Sequence, residues 1–192
     1  MQSYAFDTIF VYDNVLTNAE CNEIITNINN LPLKKMEYNN GNNVLCSKIF
    51  VNEIKNDQKR REIDDKIYKC VGKIIQNIKN DKNVVCRGDT GYELRKITGA
   101  TRGHVDCTVS HFENYIKENK EIPNNQVRNM SVIIALNSDY EGGEFCFPTY
   151  DVKIKLNKGQ AIAFPPYWTH PHYTNDLKND TYRYTITTWL TE

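Results

Sequence analysis

The hydrophobic pattern of the chain changes period once. Up to about residue 80, apolar side chains recur every three or four positions; from about residue 84 onward they alternate with polar ones. In the first part, Cys21, Ile24, Ile25 and Ile28 line one face of a predicted helix, with Thr17 placed to cap it and Glu20 placed to complete a capping box. A short extended segment, 10–16, precedes this helix, and Asn29-Asn-Leu-Pro32 ends it. A second helix is predicted from 58 to about 79, where Ile63, Ile67, Val71, Ile74, Ile75 and Ile78 share a face. Basic and acidic residues alternate on its other surface, as in Lys59-Arg-Arg-Glu62, which reads as a solvated face rather than a phosphate-binding patch. Between the helices, Asn39-Asn-Gly-Asn-Asn43 reads as a turn or surface loop.

The second part predicts strands at 91–97, 103–109, 127–136, 143–147, 152–156, 160–164, 167–173 and 182–190. This succession gives a mainly β fold with N-terminal helices, and a double-sheet jelly roll, or double-stranded β-helix, accommodates it. The expected organisation is one domain over 1–192, with helical support at 17–80 and a jelly-roll core at about 84–190. The charged, Asn-rich stretch 110–126 is a loop candidate near the mouth of such a core.

Composition narrows the setting. A chain of 192 residues suffices for one domain with a substantial core. Its 24 basic and 24 acidic side chains cancel, so no global field favours nucleic acid or an anionic membrane, and neither partner is expected. The sequence has neither a membrane-length apolar run nor a basic, apolar leader at Met1, so a cytoplasmic location is expected. Six cysteines, at 21, 46, 70, 86, 107 and 146, include no CxxC pair and argue against a zinc knuckle.

The candidate chemistry begins at Gly103-His-Val-Asp106. On an extended segment, His104 and Asp106 share a face and supply two of the three ligands of a 2-His-1-carboxylate iron site. The third has to come from His111, His170 or His172. His111 opens the polar stretch and reads as solvent-facing. His170 and His172 would share a strand face, so periodicity does not separate them, and Pro171 disfavours a central strand there. In Tyr182-Arg-Tyr-Thr-Ile-Thr-Thr-Trp189, alternation turns Arg183, Thr185, Thr187 and Trp189 one way. A guanidinium turned inward is costly to bury without a counterion. A carboxylate-bearing cosubstrate would satisfy Arg183, with the Thr185 hydroxyl adding a hydrogen bond.

These residues, with Asn14-Val-Leu-Thr-Asn-Ala-Glu-Cys21, Arg128-Asn-Met-Ser-Val-Ile-Ile-Ala-Leu-Asn137, Tyr140-Glu-Gly-Gly-Glu-Phe-Cys-Phe-Pro148, Phe164-Pro165 and Arg183-Tyr184, make the chain similar to a known family. It resembles the prolyl 4-hydroxylase-like branch of the Fe(II)/2-oxoglutarate-dependent dioxygenases. The resemblance implies His104, Asp106 and His172 as metal ligands, with His172 chosen by its spacing from Phe164 and Arg183. It also implies Arg183 and Thr185 at the 2-oxoglutarate carboxylate. Where many members carry a cosubstrate-binding tyrosine this chain has Lys96, which leaves Tyr92 as a replacement candidate beside its reading as sheet packing. Asp176-Leu177 stands where the family usually has Pro-Val.

The implied reaction consumes Fe(II)-bound 2-oxoglutarate and dioxygen, with ascorbate as reductant, and hydroxylates an unactivated C–H bond with release of succinate and carbon dioxide. The iron centre carries the chemistry, and no side chain is assigned as catalytic. A peptide or protein substrate hydroxylated at proline is the implied choice; a free amino acid or other small molecule is the alternative. A cupin-like binding protein with a structural metal is the non-enzymatic alternative, and a cosubstrate pocket at Arg183 would distinguish the oxygenase from it.

Overall fold

The computed structural model describes residues 2–4, 8–36, 46–82, 84–123 and 127–192, without the side chains of 2–4, 82, 109 and 111. The expected loop at Asn39–Asn43, the side chain of His111 and the end of the 110–126 stretch lie outside the described residues.

Helix α1 (Asn18–Asn29) starts where its capping chemistry directs. Thr17 Oγ1 accepts from the Glu20 amide at 3.2 Å, while Glu20 Oε2 accepts from the Thr17 amide at 2.8 Å. Helix α2 (Asp57–Lys82) extends the predicted span by a few residues and buries Ile63, Ile67, Val71, Ile74 and Ile78. A short helix, α3 (Glu113–Lys117), lies within the polar stretch expected to be a loop.

The strands are β1 (Gln2–Tyr4), β2 (Ile9–Tyr12), β3 (Lys34–Met36), β4 (Cys46–Phe50), β5 (Gly88–Asp89), β6 (Glu93–Ile97), β7 (Arg128–Ala135), β8 (Glu141–Gly142), β9 (Phe145–Phe147), β10 (Val152–Ile154), β11 (Ala161–Phe164), β12 (Tyr173–Thr174), β13 (Leu177–Lys178) and β14 (Arg183–Thr191). Nine form one antiparallel sheet in the order β1-β2-β11-β7-β14-β6-β4-β3, with β5 beside the end of β14. A smaller sheet runs β10-β9-β12, and β13 pairs with β8.

Alternation along the large sheet divides its side chains between two cores. Phe10, Tyr12, Ile49, Tyr92, Leu94, Val132, Ile134, Ala161, Ala163 and Ile186 join the apolar faces of α1 and α2. Ile9, Val11, Ile133, Ile162 and Phe164 join Phe145, Phe147 and Ile154 of the smaller sheet. The large sheet therefore lies between a helical layer and a second β layer, and the site opens on the latter side.

Three expectations change. Residues 103–109 do not form a strand: His104 makes a single isolated bridge to His172, and Val109–Phe112 is a 3-10 turn. Along 167–173 regular pairing resumes only at Tyr173, after Pro165, Pro166 and Pro171 have withdrawn three amide donors. Conversely, β3 and β4 belong to the large sheet although they lie in the stretch expected to be helical support. Their polar, short segments carry weak periodicity, and pairing makes them extended, β4 with β6 and β3 in turn with β4.

Candidate metal centre and cosubstrate pocket

His104 and His172 face each other across two backbone hydrogen bonds, His104 N–H to His172 O at 3.0 Å and His172 N–H to His104 O at 2.9 Å. This fixes their imidazoles with ring centroids 4.4 Å apart. Asp106 joins them: its Oδ1 lies 3.2 Å from His104 Nε2 and 3.9 Å from His172 Nε2. One ligand atom from each of the three residues falls within 4.8 Å of the others.

The surrounding hydrogen bonds determine which atoms face the centre. His104 Nδ1 lies 2.8 Å from the Arg102 carbonyl, and His172 Nδ1 lies 3.0 Å from the His170 carbonyl. A carbonyl only accepts, so each Nδ1 is the protonated nitrogen and each Nε2 keeps its lone pair for a metal. Asp106 Oδ2 accepts from Ser131 Oγ at 2.5 Å, which leaves Oδ1 on the histidine side. Its backbone carbonyl accepts from Arg128 Nη1 at 2.6 Å.

Charge follows this geometry. Burial alone would raise the Asp106 carboxyl, but the His104 hydrogen bond, the His172 charge and the Ser131 hydroxyl hold it well below the ordinary carboxylate range. Burial opposes protonation of His104, yet the adjoining carboxylate lifts it above its usual value. A proton between His104 and Asp106 therefore competes with a metal. Burial lowers His172. Two neutral imidazoles and one ionised carboxylate fit a divalent first-row metal such as Fe(II).

His170 lies outside this cluster. Its two ring nitrogens are engaged by Thr169 Oγ1 and Thr8 Oγ1, both at 2.9 Å, and burial together with His172 pushes its pKa down to about 4. A turn at 167–169 precedes His170, which belongs to no strand, and only His172 makes the bridge to His104, so the two do not share a strand face.

A small, partly open cavity adjoins the cluster, bounded by His104, Asp106, His172, Arg183, Thr185 and Thr187 among others. Arg183 is 2 % exposed, and burial brings its pKa down to about 10. Its Nη1 donates to the Gly143 carbonyl, its Nη2 to Thr174 Oγ1 at 3.4 Å, and its Cζ lies 4.9 Å from the Phe145 ring centre. Among the described residues no carboxylate pairs with it, and its Nε, with the buried hydroxyls of Thr185 and Thr187, has no partner. A buried cation beside vacant hydrogen-bonding groups suits an anionic ligand with several oxygens, such as 2-oxoglutarate.

Local sequence aims this arginine. Asn137 accepts from the Tyr184 amide at 2.8 Å and donates to the Tyr182 carbonyl at 2.7 Å, fixing the start of β14. Gly143, at φ 70°, presents its carbonyl to Arg183; a Cβ there would come within 2.8 Å of Leu177 Cδ2.

Tyr92 is a correction. Its hydroxyl donates to Asp89 Oδ2 at 2.9 Å, and its ring belongs to the helix-side core, on the opposite face of the sheet from the cavity. The alternation that sends Tyr92 and Leu94 toward the helices sends Arg95 and Ile97 into the cavity wall. Sequence reading did not single out Arg95 or Ser131. The strand period of β6 was enough to orient Arg95, whereas the partnership of Ser131 with Asp106 depends on how β7 meets a segment without regular structure.

The model of the 2OG-Fe(II) oxygenase superfamily matches residues 96–191. No curated protein matches the chain by sequence. Among solved structures, a prolyl hydroxylase from Trichoplax adhaerens, in complex with a hypoxia inducible factor oxygen degradation domain peptide fragment, aligns at TM-score 0.69 and 18 % identity over 97 % of this chain and 84 % of that one. The viral collagen prolyl hydroxylase of Paramecium Bursaria Chlorella virus-1, as its 2OG complex, aligns at 0.63 and 20 % over 97 % and 96 %. A Pseudomonas putida prolyl-4-hydroxylase aligns at 0.65 and 14 % over 96 % and 92 %. At these identities the structural likeness establishes the fold, and the matched model together with the His-Asp-His cluster establishes the family. The chain belongs to the 2OG-Fe(II) oxygenase superfamily and is a dioxygenase that uses Fe(II), 2-oxoglutarate and dioxygen.

Proposed function

We propose that this dioxygenase hydroxylates a prolyl residue of a peptide or protein, releasing succinate and carbon dioxide. The two facing sheets are read as a double-stranded β-helix, and the whole of 1–192 as one catalytic domain. The observation that carries the oxygenase reading is the buried Arg183, without a carboxylate partner among the described residues, in the same cavity as a three-ligand cluster. The prolyl substrate rests on fold likeness to the prolyl hydroxylases named above.

In this reading His104 Nε2, Asp106 Oδ1 and His172 Nε2 hold the iron, while Arg183 and Thr185 grip the distal carboxylate of 2-oxoglutarate. The bound iron and cosubstrate supply the oxidation of the C–H bond. The chain supplies position. The Arg102 and His170 carbonyls hold the histidine tautomers, Ser131 holds the carboxylate, Phe145 lines the cavity, and Phe147 and Phe164 pack against the His172 ring. Ascorbate as reductant and a cytoplasmic location complete the proposal; among the described residues no helix is long and apolar enough to cross a membrane.

The test is mass spectrometry of a prolyl-peptide library incubated with Fe(II), 2-oxoglutarate and ascorbate. Addition of one oxygen atom to proline, absent in Asp106→Ala, is the expected result. Oxygen insertion only into free amino acids or other small molecules would replace the substrate assignment.

A further inference from the structure

The cavity wall contains more positive charge than iron and 2-oxoglutarate use. Arg95 on β6 stands across from Thr185 on β14 and from Lys48 on β4. Glu93, 2 % exposed, accepts from Lys48 Nζ and from Arg95 Nε, each at 2.7 Å, and Arg95 Nη2 also contacts it. One buried carboxylate thus answers two cations, and Lys48 alone would neutralise it. The Arg95 Nη1 is left uncommitted among the described residues.

The Arg95 guanidinium extends along its strand away from Arg183. It reaches Glu93 and lies 6.0 Å from the Trp189 ring centre, whereas Arg128 lies 4.0 Å from that ring. Trp189 pairs with Ser131, the residue that holds Asp106, and Arg128 bonds the Asp106 carbonyl, so both lie beside the Asp106 end of the cavity that Arg95 lines. Arg128 bonds a carbonyl and has no carboxylate partner among the described residues, and the buried Trp189 Nε1 has no acceptor. With the site loaded, Fe(II) cancels the 2-oxoglutarate dianion and Asp106 offsets Arg183. The Lys48–Glu93–Arg95 group keeps one positive charge and Arg128 another. Partly desolvated cations beside unsatisfied donors favour an incoming carboxylate, and a guanidinium can bind it in bidentate fashion.

We infer that the substrate carries a carboxylate of its own close to the reacting carbon, and that Arg95 is the residue that reads it. This rests on the oxygenase reading of the site and narrows its substrate class. The carboxylate comes either from an acidic side chain beside the target or from a free C-terminus.

Matched ligand pairs separate these sources and test the inference. One pair is an N-acetylated peptide amide with proline flanked by glutamate, and its glutamine counterpart. Another is N-acetyl-glycyl-proline with a free carboxylate, and its amide; a third repeats the first with alanine replacing proline. Affinities are measured by calorimetry on the protein loaded with zinc(II) and 2-oxoglutarate, and hydroxyproline formation is measured separately with Fe(II). The expected result is a preference of about tenfold or more for the carboxylate member of a pair, lost in Arg95→Gln and increased in Glu93→Gln, which unburdens both cations. Arg95→Gln leaves Glu93 paired with Lys48; should the variant fail to fold, Arg95→Lys is expected to weaken the preference. Equal binding within every pair, or a preference that survives Arg95→Gln, overturns the inference. Hydroxyproline formation without any carboxylate preference would retain the prolyl reading while rejecting the role of Arg95. A preference for the acidic alanine peptide without hydroxyproline formation would do the reverse.

Discussion

Ser131 Oγ donates to Asp106 Oδ2 at 2.5 Å, which commits one carboxylate oxygen to the sheet and leaves the other toward the histidines. The serine is fully buried on β7, so the carboxylate is held by a rigid strand although its own segment lacks regular structure.

Removing that hydroxyl should loosen the carboxylate without removing a ligand. Ser131→Ala is expected to weaken Fe(II) or Co(II) affinity by about 10- to 100-fold, the usual range for a residue that orients a metal ligand. Ser131→Thr should restore most of it. Metal titration followed by Co(II) absorbance checks both, and equal affinity in Ser131→Ala would remove this role.

The two C-terminal histidines should differ sharply. His172→Ala is expected to lower metal affinity by roughly two orders of magnitude or more, since it removes a first-row metal ligand. In His170→Ala the metal should still bind, because both ring nitrogens of His170 are engaged by threonine hydroxyls. The reverse ranking in a metal-binding isotherm would overturn the ligand set.

Arg183→Gln is expected to raise the 2-oxoglutarate dissociation constant by about 10- to 100-fold, in line with roughly 1.5–3 kcal/mol for a charge-assisted hydrogen bond. Metal affinity measured without 2-oxoglutarate should change little. An unchanged cosubstrate affinity would exclude Arg183 as the anion grip.

Tyr92 supplies a contrasting case on the other side of the sheet. Tyr92→Phe deletes only the hydrogen bond to Asp89, so it should cost about 1 kcal/mol in urea unfolding. Its 2-oxoglutarate affinity should equal that of the parent protein; a large loss would place Tyr92 at the pocket after all.

Stability at alkaline pH should depend on Tyr12. Burial, with Asp81 contributing, pushes its hydroxyl up to about 12, and among the described residues that hydroxyl has no partner. Its pKa is raised on folding, so its contribution is present in full below the ordinary tyrosine value, about 10, and is lost as pH rises toward 12. Tyr12→Phe should therefore lose less stability than the parent between these values while matching or exceeding it near neutrality. Urea midpoints at both pH values decide the matter, and parallel losses would refute it.

Sequence by itself determined the elements whose side chains repeat strongly. Thr17 and Glu20 announce α1, the isoleucines of α2 declare its buried face, and alternation along β6, β7 and β14 assigns Leu94 to one layer and Arg183 to the other, because a strand has a period of two. His104 and Asp106 were recognisable as a ligand pair, and Arg183 as an inward charge in need of an anion. Tertiary structure decided what local period could not express. Prolines leave the His172 segment without a regular ladder, and two reciprocal backbone bonds to His104 position it instead. Polar β3 and β4 became strands through partners distant in the chain. The separation of His170 from His172, the exclusion of Tyr92 from the cavity and the support of Asp106 by Ser131 all depend on which elements meet in space. A single strand's period fixes which side a residue faces, but only the packed sheet fixes what it meets there.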